Sequence, residues 1–175
     1  MDDGGWAELR RCPVFEPLTD SGLRTLLGAG RVEHRPAGAL VLEEGVIGPR
    51  VMVVLSGSVQ IDRREIDGSP MLIGRLGPGD VVGEIGFLLG APRTATVRAL
   101  EPLTVFALDR VTYDGLVEEG EPAALRLGLE LARLVARRLV GLNHQVVELL
   151  GQSSPAAREA FLNAREAAAP GHRAG

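Results

Sequence analysis

The sequence predicts a mainly β fold, a barrel or sandwich of short strands with helices at both ends. Glycine (23 residues) and proline (11 residues) are plentiful and stand between short apolar runs, which favours many turns. Residues 31–110 read as short β-rich segments divided by turn signals, with no long helix between them. A doubly wound α/β fold needs such helices and is therefore disfavoured.

The amino-terminal segment, residues 5–30, carries apolar side chains at helix-like intervals. Thr19 or Asp20 is a suitable N-cap for the second of two helices there, and Gly28 and Gly30 mark its end. The strand segments follow at 31–34, 39–42, 50–55, 59–61, 71–73, 94–100 and 103–108.

Residues 111–150 return to a helical pattern, with Pro122 at a first helical position. Apolar or small residues recur there with the a/d spacing of helices that pair, over four heptads: Leu125, Gly128, Ala132, Val135, Leu139, Leu142, Val146 and Leu149. A helix lying on its own barrel shows a similar stripe. Leu127, Leu131 and Leu134 form a second apolar face, however, so we expect the barrel on one side and a second copy of the chain on the other. The expected result is a homodimer through residues 122–150.

The carboxy-terminal tail begins with Ser154-Pro155, a cap and first-turn pair, and continues as an Ala-rich stretch to Pro170. We expect a loosely attached short helix; the alternative is a lid that docks when a ligand binds. The predicted organisation is thus 1–30 (helical), 31–110 (β), 111–151 (helical) and 152–175 (tail).

Bulk properties exclude several classes of protein. The net charge of −4 argues against non-specific binding of nucleic acid, because such binding needs a basic surface. The single cysteine, Cys12, forms neither an internal disulfide nor a cysteine metal cluster. The acidic start lacks a signal-peptide pattern, and no apolar run approaches the ~20 residues of a membrane span. We expect a soluble cytoplasmic protein.

The chemically informative stretch is residues 77–97, where a glycine-rich turn leads into a short helix and then into a strand at Arg93. The amino end of a helix favours a phosphate, and Gly83 and Gly86 leave room for one. The carboxylate of Glu84 would be repelled by phosphate unless a sugar hydroxyl donates to it, while Arg93 can bind phosphate with its planar fork. The set therefore points to a compact nucleotide. Taken singly, Arg93 reads as a solvated strand residue, Glu84 as a partner of the helix dipole and Gly83 as a turn residue.

At this point the sequence resembles the cyclic-nucleotide-binding domains, whose phosphate-binding cassette has a Gly-Glu pair, a short helix and an Arg-Thr/Ser/Ala-Ala run. The matching residues are Gly83-Glu84 and Arg93-Thr94-Ala95, with Leu76-Gly77-Pro78-Gly79-Asp80 and Leu55-Ser56-Gly57 upstream. The resemblance covers roughly residues 10 to 145. It implies an eight-stranded jelly roll flanked by helices. It also implies that Glu84 accepts from the ribose 2′-hydroxyl, that Arg93 contacts the cyclic phosphate, and that the N–H groups near Ile85 and Gly86 and the Thr94 hydroxyl complete the site.

The resemblance implies a receptor for cAMP, with cGMP as the alternative because a hydroxyl beside the arginine can also reach a syn guanine. The signal would pass through the carboxy-terminal helix to a downstream partner or across the dimer. The other reading is a structural or interaction module in which nucleotide binding is incidental. Only 24 Ala-rich residues follow Gly151, so we expect no DNA-recognition domain and no direct DNA binding. The sequence shows no enzyme motif, metal-ligand cluster, haem motif or iron–sulfur motif, so we expect neither catalysis nor a bound metal.

Overall fold

The computed structural model describes the backbone of residues 3–167 and the side chains of residues 6–164. The helices are α1 (Asp3–Arg10), α2 (Asp20–Ala29), α3 (Glu84–Leu89), α4 (Arg110–Glu118), α5 (Pro122–Gln152) and α6 (Pro155–Ala167). The strands are β1 (Arg31–Arg35), β2 (Leu40–Leu42), β3 (Arg50–Ser56), β4 (Val59–Arg64), β5 (Pro70–Leu76), β6 (Val81–Val82), β7 (Thr96–Ala99) and β8 (Leu103–Asp109).

The strands form two four-stranded antiparallel sheets, with orders β1-β8-β3-β6 and β2-β7-β4-β5. This arrangement is the jelly roll with flanking helices that the sequence and the family resemblance predicted, and the prediction of fold class is confirmed. The first core lies between the sheets and is built from small and β-branched side chains, among them Val54, Val59, Val97 and Val105.

Strand β3 explains how two cores share one sheet. Val51, Val53 and Leu55 belong to a second core that includes Phe15 from the turns before α2, Leu23 and Leu131 from helices, and Phe106 from β8. Met52 and Val54, which alternate with them, face the core between the sheets. Because successive side chains of a strand point to opposite faces, a strand buried on both sides must be apolar throughout.

The amino-terminal segment differs in part from its predicted helical course. Residues 11–18 form turns rather than helix, and Pro13 and Pro17 within them cannot supply the backbone N–H that a helix interior requires. Thr19 is the N-cap of α2, and its hydroxyl accepts from the N–H of Gly22. Gly30 ends the helix where a Cβ would overlap the Phe106 ring, so only glycine fits there.

Two details of the strands also differ from the sequence prediction. Strand β6 was missed because its two residues are too short to show alternation. Strand β7 begins at Thr96, whereas Thr94 and Ala95 lie in a bend and Arg93 precedes it outside any strand. Arg93 is instead tied to the β2–β3 loop, since its N–H donates to the carbonyl of Val46 at 2.9 Å and its carbonyl accepts from Gly45 at 2.9 Å.

The chain divides into two compact units, residues 1–135 and residues 136–175. In the second unit, α5 ends at Gln152 and α6 begins at Pro155. Arg158 donates to the carbonyls of Leu150 (2.6 Å) and Gly151 (2.8 Å), which satisfies carbonyls that the end of a helix leaves unpaired. The tail predicted to reach Pro170 is helical to Ala167, and the remainder lies outside the described residues. Within residues 3–167, no helix is both long and apolar enough to cross a membrane.

An ion cluster joins β1, β3 and β8. Arg50 pairs with Glu33 and Asp109 (2.9 Å each), Arg31 pairs with the same two carboxylates, and Arg35 pairs with Glu33. Burial would raise the pKa of Glu33, but the hydrogen bond from Arg31 and the charges of Arg50 and Arg35 hold it below its usual range. The pKa of Asp109 is likewise held down against burial, by hydrogen bonds from Arg50 and Arg31.

Because of this cluster, we expect the protein to become less stable at acidic pH. A carboxyl whose pKa is lower in the folded state stabilises the fold above its unfolded pKa, and this contribution is lost as the pH falls through the folded pKa. We therefore expect the free energy of unfolding of the wild type to fall by about 1 kcal/mol more than that of the Glu33→Gln/Asp109→Asn variant between about pH 5 and pH 3. The difference is modest because water screens ion pairs that are partly exposed. Urea unfolding at several pH values measures this difference. Equal losses in the two proteins would contradict the assignment.

Candidate functional site

Helix α3 is short and is defined by glycines at both ends. Gly83, at the N-cap, has φ 81°, and Gly90, at the C-cap, has φ 64°, both in the left-handed region that glycine adopts without strain. The first helical bond runs from the N–H of Phe87 to the carbonyl of Gly83 at 3.0 Å. The N–H groups of Glu84, Ile85 and Gly86 therefore lie at the amino end, ahead of the intrahelical ladder.

The side chain of Arg93 lies against this amino end. Its Nη1 donates to the carbonyl oxygen of Gly83 at 2.7 Å, and its Nη2 donates to the carbonyl oxygen of Arg50 at 2.6 Å. The side chain is buried, with Arg93 only 5% exposed, which contradicts the reading of Arg93 as a solvated strand residue. A guanidinium has five N–H groups, and these two bonds use two of them.

The glycines leave room for the guanidinium. A Cβ at Gly83 would lie 2.7 Å from Arg93 Nη1, and one at Gly86 would lie 3.2 Å from the same atom. A Cβ at Gly48, in the loop before β3, would lie 3.1 Å from both Nε and Nη2. Sequence reasoning assigned the space at Gly83 and Gly86 to a ligand phosphate, whereas the structure fills it with the arginine.

Glu84 supplies the opposite charge. It is the first residue of α3 and is 5% exposed. Burial lowers the pKa of Arg93, the charge of Glu84 opposes that shift, and the like charge of Arg50 adds to it. Arg93 nonetheless stays protonated, because the ordinary pKa of arginine lies far above neutrality. The site is therefore a desolvated cation beside a carboxylate and the amino end of a helix.

A cavity of about 330 Å³ opens beside Arg93. Its apolar wall includes Val41, Leu42 and Met52, and its polar wall includes Arg50 and Glu43. Ligand pockets in proteins start at about 300 Å³ and combine an apolar lining with a few polar groups, so this cavity suits one compact ligand.

The structure brings only some of the predicted residues together. Gly83 and Gly86 meet Arg93 directly, and Glu84 acts on it through its charge. Arg93 is the only one of the seven predicted residues in the cavity wall. Ile85 is half-buried on α3, Thr94 is exposed and Ala95 is half-buried in the bend.

Sequence reasoning missed the contribution of β3 and of the loop before it. The carbonyl of Arg50 holds Arg93 across 43 residues of sequence, and Gly48 gives the guanidinium space. No side-chain pattern marks a carbonyl acceptor; only the glycine before Pro49 hints at a close approach. In the part of the chain that the structure describes, no cluster of His, Cys, Asp or Glu is arranged to hold a metal ion.

Comparison with known proteins identifies the family of the chain. Residues 32–119 match the family model of the cyclic nucleotide-binding domain. The chain is 27% identical over 147 residues to the CRP-like cAMP-activated global transcriptional regulator of Mycobacterium tuberculosis. That match covers 84% of this chain but 64% of the regulator, so the chain spans less than two thirds of the relative's length.

Solved structures give the same result. The catabolite activator protein of Thermus thermophilus superposes with a TM-score of 0.69 at 28% identity, over 78% of this chain and 62% of that one. The regulatory domain of Toxoplasma gondii PKA, crystallised with cAMP, superposes with a TM-score of 0.60 at 28% identity, over 69% of this chain and 48% of that one.

Proposed function

Because this chain belongs to the cyclic nucleotide-binding domain family, we propose that it is a receptor for a cyclic mononucleotide, with cAMP as the first candidate and cGMP as the second. The observation that carries the proposal is the buried Arg93 guanidinium, held against the amino end of α3 beside the Glu84 carboxylate. The similar regulator from Mycobacterium tuberculosis is described as activated by cAMP, which favours cAMP over cGMP. The role is that of a receptor and not of a catalyst.

The proposed roles follow the chemistry of each group. Arg93 neutralises the cyclic phosphate with N–H groups beyond the two that bind carbonyls, and the N–H groups of Ile85 and Gly86 add to the phosphate shell. Glu84 accepts a hydrogen bond from the ribose 2′-hydroxyl. Thr94 and Ala95 follow Arg93 in the bend, where the exposed Thr94 hydroxyl is available to the nucleotide. A structural module with incidental binding remains the second candidate, and measured affinity separates the two.

A ligand lacking the 2′-hydroxyl tests the role of Glu84. We expect wild-type protein to bind 2′-deoxy-cAMP about tenfold more weakly than cAMP, because a hydrogen bond to a charged group contributes about 1.5–3 kcal/mol net, and tenfold lies at the lower end of that range. In Glu84→Gln the penalty for removing this hydroxyl is expected to fall below about threefold, since the charged acceptor is gone. Calorimetric titration of both nucleotides into both proteins gives the four affinities.

The matched control is Glu43→Gln, since Glu43 is a carboxylate in the wall of the cavity. We expect this variant to keep the full penalty for the deoxy ligand. If the loss of affinity for the deoxy ligand shrinks in Glu43→Gln and stays unchanged in Glu84→Gln, the ribose hydroxyl binds Glu43, and our assignment of Glu84 is wrong.

We further propose that the signal passes from α3 to α5. Phe87 of α3 packs edge-on against Tyr113 of α4, with ring centroids 5.1 Å apart. The Tyr113 hydroxyl fits against Gly128 of α5 so closely that a Cβ there would overlap it. A displacement of α3 by ligand would therefore reach α5 through two side-chain contacts. Gly128 thus faces α4, which corrects its placement in the predicted pairing seam.

The proposed homodimer uses the apolar residues that α5 exposes. Leu127 and Leu131 are buried in the core, whereas Leu125 (53%), Leu139 (57%), Leu142 (57%) and Leu149 (64%) are exposed in the single chain. Covering the exposed half of such a leucine contributes roughly 1 kcal/mol, and several together favour a second copy. We expect wild-type protein to be dimeric and Leu139→Glu/Leu142→Glu to be monomeric by light scattering on a sizing column.

The control for this prediction lies on the same helix. Val140 and Val147 are exposed to a similar degree (54% and 69%) but fall outside the heptad seam. Val140→Glu/Val147→Glu is expected to remain dimeric. A monomeric wild type, or dissociation by the control pair alone, would contradict the proposed seam.

A further inference from the structure

Arg110, the first residue of α4, contacts α3 at the end opposite the candidate site. Its Nη1 donates to the carbonyl oxygens of Phe87 (2.5 Å) and Leu88 (3.3 Å), and its guanidinium lies 5.7 Å from the centroid of the Phe87 ring. Its Nε donates to Asp114 one turn later in α4, at 2.7 Å. Its backbone N–H donates to the carbonyl of Pro49, just before β3, at 2.5 Å.

Helix α3 needs such a contact. Six residues are too few for a helix to be stable by itself in water, because the cost of the first turn is spread over few hydrogen bonds. The last carbonyls of any helix lack partners within it, and they form the negative end of its dipole. Arg110 places a positive charge and a hydrogen-bond donor at that end, so it stabilises the helix where the sequence provides only Gly90.

The position of α3 decides the geometry of the site. Glu84 lies at the amino end and Phe87 one turn later, so a carboxy-terminal end fixed by Arg110 also fixes the distance of Glu84 from Arg93. The same guanidinium is held by Asp114, which belongs to α4. The contacts of Arg110 thus join the candidate site to the first helix that follows the β roll.

We propose that Arg110 is a positioning residue for the nucleotide site: it holds α3 in the ligand-binding position and, through Asp114, couples that position to α4. The effect on affinity rests on the proposed function, but the effect on α3 does not. The claim is therefore open to test both with and without nucleotide.

The ligand-free test is hydrogen exchange at the backbone amides of residues 84–89. In Arg110→Met we expect these amides to exchange at least about tenfold faster than in the wild type, with the sheet amides of β3 and β8 unchanged. The control is Arg126→Met, because Arg126 also forms an i,i+4 ion pair but does so within α5, with Glu130. It should leave the exchange of residues 84–89 unchanged.

The ligand test separates positioning from coupling. We expect Arg110→Met to bind cAMP about tenfold more weakly. Arg110→Lys should recover most of that loss, since an ammonium can donate to both carbonyls. Asp114→Ala leaves the bonds to α3 in place, so we expect near-wild-type affinity with reduced cAMP-dependent protection of the α4 amides.

Two results would overturn the proposal. One is faster exchange spread evenly over the β sheets and α3 in Arg110→Met, which would mean general destabilisation. The other is wild-type cAMP affinity in Arg110→Met when the wild type itself binds. If the wild type binds neither cAMP nor cGMP, the proposed function fails, and the exchange of residues 84–89 in the ligand-free protein still decides the role of Arg110.

Discussion

Arg93→Met is expected to weaken cAMP binding about 100-fold, which corresponds to about 2.8 kcal/mol. The substitution removes the only predicted site residue that both touches the amino end of α3 and lines the cavity. Truncating one member of a buried, hydrogen-bonded charge pair costs about 2–5 kcal/mol, much of it from the partner left unpaired. Here the group left unpaired would be the phosphate of the ligand, and the carboxylate of Glu84 would lose the nearby positive charge of Arg93. Calorimetric titration measures the loss.

One stability measurement and one further variant guard this result against misinterpretation. Arg93→Met removes the guanidinium hydrogen bonds to the carbonyls of Gly83 and Arg50, so thermal unfolding must show that the variant is folded at the temperature of titration. Arg98→Met removes an exposed arginine five residues later and should bind cAMP as the wild type does. If Arg93→Met binds cAMP with an affinity within about threefold of the wild type, Arg93 does not bind the phosphate and the proposed site is wrong.

Gly83→Ala is expected to cause the second large effect, on stability and affinity together. Its φ of 81° costs a residue with a Cβ about 1–2 kcal/mol. The new Cβ would also lie 2.7 Å from Nη1 of Arg93 and 2.9 Å from the carbonyl oxygen of Arg50, so the guanidinium must move. We expect a loss of about 2–3 kcal/mol in the free energy of unfolding, measured with urea, and at least tenfold weaker cAMP binding.

Gly90→Ala separates backbone strain from the displacement of Arg93. Gly90 ends the same helix with φ 64°, and nothing lies within 4 Å of the position that its Cβ would take. This variant should lose about 1 kcal/mol of stability and keep its affinity for cAMP. Equal losses of affinity in Gly83→Ala and Gly90→Ala would show that the strain alone matters and that Gly83 makes no specific room for the arginine.

Much of the fold was predictable because its signals are local. The run of apolar residues from Val51 to Leu55 predicts a strand, and the structure shows why it does not alternate with polar residues: both of its faces are buried. Thr19 caps α2, as its hydroxyl suggested. The Gly83-Glu84 pair and the spacing to Arg93 predicted the family, which the match over residues 32–119 confirms. Nucleotide binding by those residues stays a prediction.

The remaining features depend on contacts between distant parts of the chain. The carbonyl of Arg50 that holds Arg93 has no side-chain signature, and neither do the carbonyls that receive Arg110. Gly128 falls on an a/d position of the heptad pattern, yet the close approach of Tyr113 decides which way it faces. Sequence periodicity cannot distinguish these cases, because a helix that packs on two sides shows two overlapping apolar stripes.

Calorimetric titration of the wild-type protein with cAMP, cGMP and the non-cyclic 5′-AMP decides whether the chain is a cyclic-nucleotide receptor. We predict one site per chain with micromolar or tighter affinity for cAMP or cGMP. We also predict at least tenfold weaker binding of 5′-AMP, because its open phosphate is bulkier and its second charge costs more to desolvate in the cavity. Failure of both cyclic nucleotides to bind at about millimolar concentration would contradict the proposed function, as would equal affinity for 5′-AMP.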